Sequence, residues 1–375
     1  MALTVREQVM LAGYTTLGVG GPAARFVDAS TDDQVIAEVR DADAAGEPVL
    51  VLGGGSNLVV ADEGFPGTVV RVATSGVSIA GDGDGVTVEV AAGEDWDSLA
   101  ERCVAEGLSG IECLCGIPGL AGATPIQNVG AYGQEVSETV VAVRAYDRLR
   151  GTIATLANAE CGFGYRTSAF KRSVGAQRGR AALDAGAATG RFVVLGVTFR
   201  LSRDPLSAPV RYGELARVLG TGDAGRAPLA DVRSAVLALR RGKGMVLDPA
   251  DPDTRSAGSF FTNPVLGDGQ LADVRRRAAA KAGAAAGEVI VPHFPSGDGQ
   301  VKVPAAWLIE QAGFGKGYPG DGGARISSKH TLALVNAGGA TSASLVGLAR
   351  EIRNGVRQAF GVELVNEPVL IGTEL

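Results

Sequence analysis

Histidine is almost missing from this sequence: there are two in 375 residues, His293 and His330, far apart along the chain. Cysteine is nearly as scarce, and Cys103, Cys113, Cys115 and Cys161 form no CxxC pair. Neither set has the spacing a tetrahedral zinc site draws on, so no metal is expected. A surplus of positive charge is missing too. The 35 Lys and Arg face 41 Asp and Glu, a formal net charge of −6, which removes the attraction that non-specific binding to nucleic acid or anionic lipid depends on. No apolar run approaches the roughly 20 residues that cross a bilayer, and the opening "MALTVREQVMLAGYTT" has no basic cluster ahead of an apolar core. A cytoplasmic protein without membrane insertion is expected, acting as a monomer, and no internal repeat is visible.

What is present is a globular composition, 46% hydrophobic and 20% charged, in a chain long enough for two or three domains. The 55 glycines are roughly double the ordinary share, yet with 16 prolines they stop short of low complexity. They are therefore positional. "PVLVLGGGSNLVVAD" (48–62) reads as two short strands joined by a tight glycine turn, with further strands at 68–73, 86–91, 138–147 and 192–201. An acid at Asp95 opens a helix over 95–106. Helical periodicity then takes over: Leu229, Val232, Val236 and Leu239 on one segment, and Leu345, Leu348, Ile352 and Val356 behind a Thr341 or Ser342 cap on another. Between them the pattern predicts a strand at 259–265, helices near 271–286 and 304–312, and a strand at 331–335. A strand pair at 362–365 and 367–372 ends the chain, and 173–190, rich in Gly, Ala and Arg, is expected to be a mobile surface excursion without chemistry.

Two glycine stretches stand out, "GGGSN" (53–57) and "GIPGLAGATPIQNVGAYG" (116–133). Several backbone N–H groups can converge on a diphosphate only where no Cβ holds it away, which is one reason for glycines to cluster. Tight turns alone are the other. The longer stretch carries no charged residue, but its Thr124, Gln127, Asn128 and Tyr132 suit a neutral polar ring as well as phosphate. A nicotinamide-type Rossmann fingerprint is excluded: "GVGGPA" (18–23) follows no strand and puts Pro22 where a helix should begin. A P-loop is excluded as well, since neither Gly242-Lys243 nor Gly315-Lys316 is followed by Ser or Thr.

In order along the chain stand "GGGSN", "GIPG…GATPIQNVGAYGQE", "FGYRTSAFK" (163–171), "GSFFTNP" (258–264) and "KVPAAWLIEQAG" (302–313). Together these resemble the UDP-N-acetylenolpyruvoylglucosamine reductase family, also called UDP-N-acetylmuramate dehydrogenases, in its subgroup with a tyrosine loop. The resemblance spans residues 15 to 372. It implies an α+β protein: an FAD-binding fold of the vanillyl-alcohol-oxidase type in two subdomains, 1–74 (completed by 361–375) and 75–240, plus a C-terminal α+β substrate domain, 241–360. It also implies non-covalent FAD, NADPH as hydride donor, and UDP-N-acetylglucosamine enolpyruvate as substrate in peptidoglycan precursor synthesis. Hydride passes from NADPH through the flavin to the vinyl CH2 carbon, and a serine protonates the adjacent carbon.

On this resemblance Ser259 in "GSFF" matches the proton donor, and Arg166 in "GYRTS" and Glu367 in "VNEPV" match the residues that steady the substrate carboxylate. A serine hydroxyl is a feeble acid, adequate only toward a strong base such as a carbanion-like carbon. Arginine grips a carboxylate through two parallel hydrogen bonds, which lysine cannot do, and a protonated Glu367 would donate to the same oxygens. The resemblance also makes Gly53, Gly54, Gly55, Ser56 and Asn57 cofactor contacts, together with Gly116, Pro118, Gly119, Gly122, Ala123, Thr124, Gln127, Asn128, Gly130, Ala131 and Tyr132. Tyr165, Tyr212, Lys243, Asn263 and Lys302 become substrate contacts, with Tyr212 closing over the diphosphate. Departures from the family pattern are Thr262 where many relatives have lysine, "MVLDP" (245–249) for a "KLPDP"-like segment, and "TTLG" (15–18) for "NTFG". An FAD-dependent alcohol oxidase of the same fold and a non-catalytic flavin-binding protein are the alternatives. Against the first, neither histidine lies in the glycine-rich half, where a covalent flavin link would sit.

Overall fold

Valine alternation builds the larger sheet of the first of two units into which the chain divides. That unit comprises Met1–Tyr14, Gly21–Ser56 and Glu63–Val246, and the second comprises Thr15–Gly20, Asn57–Asp62 and Leu247–Leu375. The computed structural model describes residues 3–82, 85–176, 189–222, 224–283, 289–297 and 299–375. In the strand Gly85–Ala91, Val86, Val88 and Val90 point into the core, as a two-residue repeat requires. It lies in an antiparallel sheet of order Thr152–Ala157, Val140–Asp147, Phe192–Arg203, Gly85–Ala91, Val77–Asp82. The helix Trp96–Ala105 starts where Asp95 accepts the Ser98 N–H, and the buried Trp96 indole donates to the Leu114 carbonyl at 2.9 Å. That bond fixes the chain just ahead of the glycine run. The helix Leu229–Gly242 buries Leu229, Val232 and Val236, with Leu239 half-buried.

A smaller sheet in the same unit has the order Thr4–Met10, Pro22–Ala29, Phe65–Val72, Val49–Leu52. Its last three strands are parallel, which demands a crossover, supplied between Pro22–Ala29 and Val49–Leu52 by the helix Asp32–Ala45. Thr31 caps that helix, and Gly46, at φ 68°, stops it.

The second unit is built around the helix Ser342–Phe360, whose Leu345, Leu348, Ile352 and Val356 are all buried. Thr341 caps it, and Asp62 accepts the N–H groups of Ser342 and Ala343 at 2.8 and 2.9 Å, a negative charge at the positive end of the helix. Around it stand the helices Asp268–Ala282 and Ala305–Ala312 and a sheet of order Ser256–Ser259, Ala333–Asn336, Ala324–Ile326. Leu58–Val60 pairs in parallel with Val369–Ile371.

Three sequence expectations need correction. Residues 259–265 are not one strand: Ser259 ends a strand, and a separate one begins at Val265. Pro264 has no N–H to continue a ladder, and only Phe261 bridges across to Asn366. For the same reason 362–365 is not a strand, since that segment meets the chain at Phe260–Thr262 through isolated bonds. The strands on either side of "GGGSN" do not pair with each other; Val49–Leu52 joins Phe65–Val72, and Leu58–Val60 joins Val369–Ile371. Of the expected excursion at 173–190, residues 173–176 close the helix Ala169–Ala176 and 177–188 lie outside the described residues. The predicted helix end at 284–286 lies outside them too. Among the described residues no helix is long and apolar enough to cross a membrane, and no cluster of His, Cys, Asp and Glu could hold a metal ion.

Candidate active site

The two glycine stretches meet. A Cβ on Gly54 would lie 2.7 Å from the Gly119 Cα, backbone that cannot rotate away, so Gly54 lets the loops touch; a Cβ on Gly119 would lie 2.8 Å from the Ser56 Oγ. Gly55 at φ 60° and Gly119 at φ 125° adopt backbone that other residues resist. Among the described residues, the amides of Gly54, Gly55, Ser56 and Gly119 have no protein acceptor. The result is a backbone cradle of donors at the end of the strand Val49–Leu52.

Other glycines in 116–133 face protein. A Cβ on Gly122 would lie 2.4 Å from the Ala92 Cβ, and one on Gly116 would lie 2.7 Å from the Leu237 side chain. The Gly116 N–H donates to Asp97 at 2.7 Å, and Arg233 binds the same carboxylate at 2.7 and 3.3 Å. Burial works against the charge on Asp97, but the Arg233 guanidinium and the Gly116 N–H hold its carboxyl below the ordinary range. Arg240, 7% exposed, donates to the Met245 carbonyl at 2.8 Å and sits beneath Gly116, while its Nε has no partner among the described residues. Sequence reasoning missed this Asp97–Arg233–Arg240 support. In "LRRGKG" nothing tells the buried Arg240 from the exposed Arg241 except the helical phase of Val232 and Val236.

The polar side chains of the run largely fold the run itself. Thr124 donates to the Ala121 carbonyl at 2.8 Å, and Gln127 accepts from Lys171 at 2.8 Å. Asn128, at φ 45°, donates to Glu135 at 2.8 Å and to the Gly164 carbonyl at 3.0 Å, joining the run to the turn that carries Arg166. Pro118 precedes Gly119 in the cradle loop, Ala123 ends a short turn of helix, and Ala131 pairs with Gln134.

Arg166 stands at φ 52° in a tight turn closed by two bonds between Gly164 and Thr167. Its guanidinium donates to the Gly130 carbonyl at 2.6 Å and the Asn128 carbonyl at 3.4 Å, and lies 5.4 Å from the Tyr165 ring. A Cβ on Gly130 would come within 2.9 Å of Arg166 Nη1, so that glycine makes room for the cation. Tyr132 meets Tyr212 edge to face, with ring centroids 5.3 Å apart. Lys243 sits 5.7 Å from the Tyr132 ring and pairs with Glu214 at 2.6 Å.

In the second unit Ser259 and Glu367 are neighbours. The Glu367 N–H donates to the Phe260 carbonyl at 2.9 Å, and its own carbonyl accepts from Asn57 at 3.4 Å. Ser259 follows Gly258, at φ 73°, and is registered against Ala333. Asn263 accepts the Ala305 N–H at 2.9 Å at the start of the helix Ala305–Ala312. Lys302 lies on the strand between Val265–Leu266 and Phe294–Pro295. Burial raises all four thiols, Cys115 and Cys161 to about 11, so the cysteines act as packing groups.

Residues 23–157 match the model of an FAD binding domain, and 249–371 match the model described as UDP-N-acetylenolpyruvoylglucosamine reductase, C-terminal domain. The chain is 58% identical to the UDP-N-acetylenolpyruvoylglucosamine reductase of Thermobifida fusca (strain YX) over the full length of both. It is 56% identical to that of Streptomyces coelicolor, covering 97% of this chain and 90% of the relative. The chain belongs to the UDP-N-acetylenolpyruvoylglucosamine reductase family. A solved UDP-N-acetylenolpyruvylglucosamine reductase, from Thermus caldophilus, superposes with a TM-score of 0.60 at 26% identity, covering 99% of this chain and all of the other. The expected fold, α+β with an FAD-binding domain followed by a separate C-terminal domain, is borne out.

FAD fits the residues present. Glycine at Gly54 lets the two loops close on each other, and the amides of Gly54, Gly55, Ser56 and Gly119, which have no protein acceptor among the described residues, are the donors a diphosphate needs. Replacing Gly54 by alanine pushes a methyl group into the Gly119 backbone, which cannot rotate away as a side chain end can. We expect Gly54→Ala to fold with the wild-type circular dichroism spectrum but to bind FAD about tenfold or more weakly, read by flavin fluorescence titration. A variant that purifies with the wild-type flavin content would refute this role for the contact.

Proposed function

We propose that this chain carries out the NADPH-dependent reduction of UDP-N-acetylglucosamine enolpyruvate to UDP-N-acetylmuramate, with Ser259, Arg166 and Glu367 as its catalytic residues. Full-length identity with relatives of the reductase name supports this reading most directly. FAD, held at the amides of Gly54, Gly55, Ser56 and Gly119, would supply the two-electron chemistry that links NADPH to the vinyl ether. The protein's own groups handle the charge and the proton. As hydride reaches the CH2 carbon, negative charge spreads onto the carboxylate, and the Arg166 guanidinium and Glu367 steady it. The Ser259 hydroxyl gives its proton to the carbon that bears the ether oxygen, so hydride and proton together saturate the double bond. Serine suffices because the carbon it meets is strongly basic.

Tyr165, Tyr212, Lys243, Asn263 and Lys302 are proposed to hold the UDP-sugar, with the two lysines serving its diphosphate. The cytoplasm is the proposed compartment and the monomer the working form. The purified protein is expected to be yellow, to bleach with NADPH under nitrogen, and to regain colour when the enolpyruvyl sugar is added. Reoxidation by air alone, with the sugar inert, would point to an oxidase, and a protein that cannot be reduced would point to a binding role.

A further inference from the structure

Lys243 already holds an anion. The residue caps the C-terminal end of the helix Leu229–Gly242, and its ammonium pairs at 2.6 Å with Glu214, in the first turn of the helix Gly213–Leu219. Both ends suit their charges, since a cation is favoured at a helix C-terminus and an anion at an N-terminus. Burial works against the charge on Lys243, but the Glu214 carboxylate holds its pKa above the ordinary lysine value. Tyr212, the N-cap of the Glu214 helix, lies edge-on to Tyr132, and Lys243 stands over the Tyr132 ring. One short helix thus carries Tyr212 and, two residues on, the carboxylate that occupies Lys243.

We propose that Glu214 is a specificity residue that stands in for the substrate diphosphate on Lys243 and is displaced when the diphosphate binds. The proposal rests on the reading of Lys243 as a diphosphate contact. A carboxylate left within hydrogen-bond reach of the same ammonium as a diphosphate repels it, so the pair must open or binding weakens. A ligand with one weak negative charge gains little by replacing a carboxylate already in place; a diphosphate, with more charge and more acceptor oxygens, gains from the exchange. Opening the pair also releases the start of the helix that carries Tyr212 from Lys243. The displaced pair is partly exposed, its side chains 28% and 35% accessible, so the opening is easy and the expected effect modest.

The test uses the FAD-loaded enzyme with UDP as the probe, titrated calorimetrically, and uridine as the phosphate-free control. Glu214→Gln keeps the shape but removes the competing charge, and it should tighten UDP about two- to fivefold while leaving uridine unchanged. It should also lower KM for the enolpyruvyl sugar by a similar factor without a matching loss of kcat. The same substitution in a Lys243→Met background should give no tightening. Glu214→Ala serves as a second removal of the charge, with thermal melting to confirm folding. Should Lys243→Met weaken UDP binding while both Glu214 variants weaken it or leave it unchanged, the displacement is refuted and the diphosphate role of Lys243 survives. Should Lys243→Met leave UDP binding untouched, the underlying contact falls, and the proposal with it.

Discussion

Ser259→Ala will bleach with NADPH at the wild-type rate and then stall, with reduction of the enolpyruvyl sugar slowed about 10²- to 10⁴-fold, the range typical of losing a positioned general acid. The substitution removes one oxygen. Ser259 closes the strand Ser256–Ser259 opposite Ala333, and the next residue, Phe260, is fixed by its N–H to the Leu332 carbonyl at 2.7 Å. None of those backbone bonds needs the hydroxyl, so the backbone should stay in place and the defect should be chemical. Stopped-flow absorbance separates the two half-reactions, because flavin bleaching precedes any step that calls on the serine. Turnover at the wild-type rate would remove Ser259 from the role of proton donor.

Arg166→Lys should cost about 10²- to 10³-fold in kcat/KM for the enolpyruvyl sugar, the usual loss for one donor that stabilises developing charge. Lysine keeps the positive charge, so the experiment asks whether the planar fork matters. The fork is aimed: Gly130 leaves room for it and offers its carbonyl at 2.6 Å, and the turn from Gly164 to Thr167 presents it at a positive φ. A lysine would reach one carbonyl as a point charge and lose the paired geometry that matches a carboxylate. Flavin content and the rate of bleaching by NADPH should change little, which places the defect at the carboxylate. A loss below threefold would mean that charge alone suffices.

Regular elements with strong periodicity were legible in the sequence, because their signal is local. Val86, Val88 and Val90 announce a strand one face of which is buried, and Asp95 and Thr341 announce helix starts by offering an oxygen to an N–H three residues on. The stretch at 259–265 misled, since two phenylalanines and a valine look like strand while Pro264 interrupts the donor row. The glycines of 116–133 were legible as a group but not one by one. Gly119 touches another loop, Gly122 packs on Ala92, and Gly130 makes way for Arg166, three duties that share one letter.

By itself, the order of residues determined the strongly periodic elements, their caps, and the five motifs that mark the reductase family, because each depends on spacings of a few residues or on side-chain identity. Only the tertiary structure decided which amides lack acceptors, which glycine admits which neighbour, and that Glu214 occupies Lys243 from 29 positions away. Those outcomes depend on distances across the fold, where a few tenths of an ångström separate contact from clash, and no short window of sequence carries that information.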